Sequence, residues 1–378
     1  MPIYMDRHDV SEAVTAEHVA QLHQQDLKIQ DNYNCRGLTY WFDERRKTAF
    51  CLIEAPNKQA LKDMHHNAHG NVPHIVTEVD VDLVESFLGR IEDPQNTRNT
   101  ALNIIDDPAF RTIMVAKLKV SSLKLNELIR LNKSLAEYNK KIPEVFEEFN
   151  GRIVRHYHNG FLVSFKSVTN AVQCAVENQA IFKKLTCKQN PCHIKLKIGL
   201  CAGSPITEKK ELFEEVVQSA ERMTDTSKAD IVVSSEVKDL YVSENSNQFV
   251  KNMQVEAISP SDEHFINQLL DFAEKESGNT QLKVNDFNLH LGFSKSQLYR
   301  KMMELMGISP NNFLLSYRLN KALRLFNKKS GNISEIAYET GFNSPSYFSK
   351  CFKKRFGILP SDYIQTSDKP FSSPLKIS

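Results

Sequence analysis

Hydrophobic residues along this chain recur with two periods, two and about 3.6 residues, and the places where the period changes mark its elements. In the first stretch, "PIYMDRHDV" (2–10) reads as a strand. "TAEHVAQLHQQDLKIQDNY" (15–33) reads as a helix with Thr15 as N-cap ahead of Glu17 and His18. "RGLTYWFDE" (36–44) and "RKTAFCLIEA" (46–55) predict two strands joined by a charged turn. "NKQALKDMHHNAHG" (57–70) predicts a helix capped by Asn57 and stopped by Gly70, and "HIVTEVDVD" (74–82) a last strand, giving the order βαββαβ. After a polar joint with two prolines, "RIEDPQNTRNTALNIIDDP" (90–108), a second part begins near Phe110. "RTIMVAKLKV" (111–120) predicts a strand, and 126–149 a helix broken at Pro143. "GRIVRHYHNGFLVSF" (151–165) predicts a hairpin turning at Asn159-Gly160, a favoured two-residue turn. A helix (167–185), a strand (193–203), a helix (211–227) and a strand "DIVVSSEV" (230–237) complete an α/β part with a mostly antiparallel sheet. From Ser259 to about Gln365 the period is helical throughout, and the tail "TSDKPFSSPLKIS" (366–378) predicts disorder.

The chain is 378 residues long, which implies two or three domains at ~100–200 residues each. We divide it into 1–92, a linker 93–109, 110–256, 257–366 and a flexible tail 367–378. Its start reads as a strand, not as a basic and then apolar leader, and no stretch is apolar enough to span a bilayer. The seven cysteines form no CxxC pair; the nearest two, Cys187 and Cys192, sit in a polar loop. That usage suits a reducing, cytoplasmic setting. The net charge of +2 hides an asymmetry. Between Arg318 and Arg355 lie nine basic residues opposed only by Glu335 and Glu339, so this region alone suggests a polyanionic partner.

That region also contains a repeat. "LHLGFSKSQLYRKMM" (289–303) and "YETGFNSPSYFSKCFK" (338–353) each give a helix end, Gly-Phe, and a polar N-cap that opens a new helix. Burial of Leu298 with Met302, and of Phe348 with Phe352, turns polar and cationic faces outward: Ser296, Tyr299, Arg300 and Met303 in one, Ser346, Ser349, Lys350 and Lys353 in the other. A connecting helix carries the apolar stripe Phe313, Tyr317, Leu319, Leu323 and Phe326. A helical bundle with a solvated basic face is the plainer alternative. Spacing and cadence over 257–365 closely resemble the DNA-binding domain of AraC/XylS-type transcription regulators. The resemblance implies a seven-helix domain whose two recognition helices enter successive major grooves. By position it places base contacts on Ser296, Tyr299, Arg300, Ser346, Tyr347 and Lys350. Phosphate contacts fall on Lys295, Lys301, Ser344 and Lys353. Arg300 stands out because a guanidinium reads guanine bidentately.

Residues 110–240 resemble the catalytic domain of adenylate and guanylate cyclases in element order. There, two aspartates hold the two divalent ions that stabilise the attacking and leaving oxygens of cyclisation. Here those positions read Lys117 and Asn159, the family's helix asparagine reads Gln218, and only its arginine survives, as Arg222. A lysine repels metal ions and an amide supplies no charge, so we expect no enzyme activity from this part. Pairing into a homodimer is the role it retains. The alternative is a cyclase or nucleotide-binding signalling protein with atypical metal ligands.

The βαββαβ order of the first part is that of a ferredoxin-like sheet. Its stretches "MPIYMDRHDV" and "MHHNAHGNVPHIVTEVD" resemble a small ferredoxin-like family with a nickel-binding branch. His65 and His69 are one helical turn apart, a spacing that holds one metal. His8 ends the first strand, Asp6 shares its face, and His66 and His74 are nearby alternatives. Imidazoles with a carboxylate suit nickel, zinc or copper. Two other readings stand beside this one. The histidines serve only as favourable charge at a helix C-terminus, or the domain only dimerises. The fold class expected is thus multidomain α+β. The function expected is a DNA-binding transcription regulator with a metal or small-molecule sensor.

Overall fold

The computed structural model describes residues 1–95, 102–120, 125–157, 159–186, 194–206, 211–245 and 255–368. The Cys187/Cys192 pair, His158 and the tail beyond residue 368 lie outside the described residues. Five cysteines, Cys35, Cys51, Cys174, Cys201 and Cys351, are buried and free. Among the described residues no helix is long and apolar enough to cross a membrane.

The first part runs β1 (Ile3–Asp9), α1 (Ala16–Ile29), β2 (Arg36–Asp43), β3 (Thr48–Glu54), α2 (Lys58–His69) and β4 (Ile75–Glu78). The sheet order is β2-β3-β1-β4, with every neighbour antiparallel. Thr15 and Asn57 cap their helices as expected, and Gly70 ends α2 with φ of 79°. The last strand is shorter than expected. Asp80 turns its carboxylate onto the amides of Asp82 and Leu83 and so opens α3 (Val81–Leu88), an aspartate cap that overrides the strand pattern. The pleat sends Tyr4, Tyr40, Phe42, Cys51 and Ile53 towards α1 and α2. It sends Met5, Trp41, Phe50 and Leu52 into a second core layer.

The second part comprises β5 (Arg111–Val120), α4 (Leu125–Glu148), β6 (Arg152–Tyr157), β7 (Gly160–Phe165), α5 (Val168–Thr186), β8 (Ile194–Gly203), α6 (Glu214–Thr226), β9 (Ile231–Val233), α7 (Ser235–Glu244) and β10 (Val255–Ala257). Its sheet order is β10-β9-β8-β5-β7-β6, antiparallel except at β8–β9 and β9–β10. Three expectations are corrected. Pro143 does not break α4, because the buried Tyr138, Ile142, Val145 and Phe146 hold the helix on both sides of it. Gly160 is not in the hairpin turn as expected, since it pairs with Tyr157 inside the ladder. Gly160 is needed for close approach: a Cβ there would lie 1.8 Å from the Ala116 carbonyl oxygen on β5. Strand β9 stops at Val233 because the Ser234 hydroxyl caps α7, accepting from the Val237 amide at 3.2 Å.

The third part is α8 (Pro260–Glu276), α9 (Val284–Leu291), α10 (Lys295–Met306), α11 (Pro310–Asn327), α12 (Ile333–Glu339), α13 (Pro345–Phe356) and α14 (Pro360–Asp368), seven helices among the described residues. Each of α8, α10, α11 and α13 starts on a serine that caps its first turn.

One apolar layer crosses all three parts. It takes Met5, Trp41, Phe50 and Leu52 from the first sheet, Val84, Phe87 and Leu88 from α3, and Ile113, Val115, Leu162 and Cys201 from the second sheet. From the helices it takes Val216, Phe265, Leu298, Met302 and Phe313. Arg111, 1 % exposed, anchors α3 within it by donating to the Phe87 and Leu88 carbonyls at 3.3 and 3.1 Å. The described end of the expected linker is also fixed. Ile105 is buried against the first sheet, and the Tyr40 hydroxyl donates to the Asn103 carbonyl and accepts from the Ile105 amide, each at 3.0 Å.

Candidate metal centre and nucleic-acid interface

The four residues singled out for metal lie together. Strand β1 carries Asp6 and His8 on one face, and α2 lays His65 and His69 one turn apart against them. His65 Nε2 is 2.9 Å from Asp6 Oδ2, and His8 Nε2 is 3.2 Å from Asp6 Oδ1. Two partners were missed from sequence. Asp26 of α1 accepts from His65 Nδ1 and His69 Nε2, both at 3.1 Å. Cys51 pairs in register with Asp6 across β1–β3, and its amide donates to Asp6 Oδ1 at 3.2 Å. A signal for Asp26 existed: with Val19 and His23 it falls on the buried stripe of α1, where an unpaired acid is not expected. The alternatives His66 and His74 are exposed, although His74 lines the cavity and its Nδ1 accepts from the Asp9 amide at 3.1 Å.

The cluster is buried and strongly coupled. His65 donates to a carboxylate from each ring nitrogen, so in this arrangement it is an imidazolium. Burial pushes its pKa down, but Asp6 and Asp26 outweigh burial and raise it to about 10. Burial likewise opposes charge on Asp6, yet His8 and His65 hold its carboxyl well below the usual range. Asp26 is lowered against its own burial by His65 and His69. Burial, with Asp6 and Asp26 nearby, raises the Cys51 thiol well above its ordinary value. The donor atoms form two sets that share His65: Asp6, His8, Cys51 and His65, and Asp26, His65 and His69. They open on a cavity of about 430 Å³ whose wall includes Val10, Val14, Leu22 and Val72. Carboxylate, imidazole and thiol donors in this number fit a borderline transition metal.

The repeated motif in the third part folds as two capped helices. Gly292 and Gly341 take φ of 71° and 81°, and Ser294 and Ser344 cap α10 and α13. Leu298, Met302, Phe348 and Phe352 are fully buried, which turns the opposite faces outward. Tyr299 is 50 % and Tyr347 58 % exposed, the Tyr347 ring lying 6.2 Å from that of Phe342. Lys295, Ser296, Arg300, Ser346, Lys350 and Lys353 are exposed beside them. Lys301 is half-buried and paired with Asp262 of α8, and the half-buried Ser344 already accepts from the Tyr347 amide at 3.4 Å.

In the second sheet Lys117 is paired with Glu221 of α6 at 3.0 Å, and Asn159 is buried at the hairpin, its carbonyl accepting from the Leu118 amide at 2.7 Å. Gln218 and Arg222 lie on α6 with Glu221. Arg222 is turned to α8, donating to Asn267 at 2.8 Å and pairing with Asp271. The loop after α6 reaches α10: the Lys228 amide donates to the Leu305 carbonyl at 3.1 Å.

Comparison with known proteins gives two family matches. Residues 289–366 match a helix-turn-helix domain family, and residues 4–79 match the family described as nickel responsive protein SCO4226-like. Histidine kinase P4 of Formosa agariphila is 39% identical over 106 residues, 28% of this chain and 8% of that protein. The HTH-type transcriptional regulator MtrA of Neisseria gonorrhoeae is 32% identical over 100 residues, 26% of this chain and 32% of that protein. The chain therefore spans less than a third of either relative. The crystal structure of SCO4226 from Streptomyces coelicolor A3(2) is 30% identical, covering 20% of this chain and 94% of that one at a TM-score of 0.20.

Proposed function

We propose that this chain is a sequence-specific DNA-binding transcription regulator of AraC type whose first part senses a transition metal, nickel foremost. One observation carries the reading. Within the stretch that matches a helix-turn-helix family, α10 and α13 each bury one face and expose aromatic, hydroxyl and cationic side chains on the other. Ser296, Tyr299, Arg300, Ser346, Tyr347 and Lys350 read bases, and Lys295, Ser344 and Lys353 hold phosphates; the Ser344 hydroxyl caps α13 as an acceptor and keeps its proton to donate. Lys301 joins them only by leaving Asp262.

The first part is a ferredoxin-like sheet, and Asp6, His8, His65 and His69 hold the ion, with Asp26 and Cys51 beside them. The metal supplies positive charge at the carboxylates that the His65 proton now neutralises. Its effect on DNA binding is a shift of population between arrangements of α1 and α2 over β1, passed on through the shared apolar layer. The middle part is a cyclase-like domain without catalysis. Lys117 occupies with its own charge the place of a metal, and Glu221 balances that charge. This part pairs two chains into a homodimer in the cytoplasm, which suits a regulator that binds two sites.

Selection of bound sequences from a random DNA pool, with and without nickel, tests the function. The expected outcome is a defined motif whose affinity falls steeply with salt and changes on addition of metal. Binding without sequence preference would overturn the regulator reading. A motif indifferent to nickel, zinc and copper would overturn only the sensor.

A further inference from the structure

We propose that the first part carries a two-ion centre bridged by the imidazolate of His65, with Nε2 on one ion beside Asp6, His8 and Cys51, and Nδ1 on the other beside Asp26 and His69. The proposal rests on the metal-binding reading above and deepens it from one ion to two. Its ground is the placement of donors. The two sets have a single member in common, and within each set the donor atoms lie within 4.8 Å of one another. His65 presents a different nitrogen to each set: Nε2 at 2.9 Å from Asp6 and Nδ1 at 3.1 Å from Asp26.

The two lone-pair directions of an imidazole diverge from opposite sides of the ring, so one ion cannot take both nitrogens. A one-ion site built on Asp6 would leave the buried Asp26 and His69 without a metal role, and a one-ion site built on Asp26 would strand Asp6, His8 and Cys51. Spacing agrees with occupation of both. Metal–donor bonds of about 2.0–2.3 Å set neighbouring donors roughly 3–3.5 Å apart. The contacts His8–Asp6, His65–His69 and His69–Asp26 are already 3.2, 3.3 and 3.1 Å. His69 Nδ1 accepts from the Asn71 amide at 3.2 Å, so its proton sits on Nε2 toward Asp26, and ligation through Nε2 moves that proton to Nδ1 at the cost of the Asn71 contact.

Charge also balances without outside ions. Two divalent cations meet two carboxylates, one thiolate from Cys51 and one imidazolate from His65. Loading sends three protons to solvent, two from His65 and one from Cys51. A buried centre of zero net charge avoids the desolvation cost of an unpaired charge.

Cobalt(II) added anaerobically to the full-length chain is the probe. Native mass spectrometry is expected to find two cobalt ions per chain, with a thiolate-to-cobalt absorption band. Low-temperature electron paramagnetic resonance is expected to integrate well below two independent spins, because the bridge couples them. The D26N/H69Q double variant, which keeps Cys51 and the Asp6 side intact, is expected to bind one ion, keep the band and show an uncoupled spin. A wild-type chain that saturates at one ion, or binds two with full independent spin, overturns the bridged centre and leaves metal sensing standing. A chain that binds no cobalt, nickel or zinc removes both.

Discussion

At the scale of single residues the acid–imidazole cluster makes a signed prediction for the metal-free protein. His65 titrates near 6.5 when unfolded and at about 10 when folded, so its contribution to stability is complete below 6.5 and is lost as pH rises through 10. Asp6 and Asp26 are depressed below 3.8, so their contributions are present above that value and are lost as pH falls beneath it. The melting temperature should therefore fall from mildly acid pH towards pH 10, and a His65→Gln variant should flatten that decline. Calorimetric melts across this range check it, and a wild-type profile flat to pH 10 would contradict it. On the DNA side, Arg300→Ala should weaken the selected site by about 1–3 kcal/mol, about 5- to 150-fold, and relax preference at one base pair. Lys353→Ala should weaken all sequences alike and lower the salt slope by about 1. Fluorescence anisotropy over a salt series distinguishes the two. The sequence made Asp6, His8, His65 and His69 legible because strand and helix spacing are local. Asp26 and Cys51 were not legible as partners, since one arrives by packing of α1 on α2 and the other by the Asp6–Cys51 register.

At the scale of elements, what local chemistry fixes was readable and what tertiary packing fixes was not. The caps Thr15 and Asn57, the helical start at Ser259 and the glycine turns at Gly292 and Gly341 lie where the sequence put them. Pro143 misled because a buried stripe outweighs one missing amide. Gly160 misled because asparagine–glycine is so strong a turn signal that its place against β5 was hidden. Gly160→Ala should cost at least about 1–3 kcal/mol, the usual range for overpacking, because the Ala116 carbonyl can move only with β5. Gly341→Ala adds a second kind of strain, since its φ is 81° and a Cβ would meet the Ser277 carbonyl oxygen at 2.4 Å. Denaturant midpoints measure the loss in both variants, and unchanged midpoints would mean that these glycines are not structural.

At the scale of the whole molecule the parts do not hang as beads on a string. The layer from Met5 to Phe313 is common to both sheets and the helices, and Arg111 fastens α3 inside it. Arg111→Met should cost about 1–3 kcal/mol by leaving the Leu88 carbonyl without its donor, while the Phe87 carbonyl keeps Ser164 and Asp107 keeps Arg90 and Lys166, and it should broaden or split the thermal transition. A calorimetric trace that stays single, and shifts by less than about 1 kcal/mol, would argue against that anchoring role. Sequence reading divided the chain by periodicity and described the joint as a linker, because contacts such as Tyr40 with Ile105 have no local signature. One feature of the assembled molecule bears on any attempt to study it in pieces. The peptide amide of Lys228 finishes the hydrogen bonding of the Leu305 carbonyl in the closing turn of α10. An excised carboxy-terminal fragment would leave that carbonyl to water and fray the rod that carries Arg300, so affinities measured on the fragment would understate those of the intact chain.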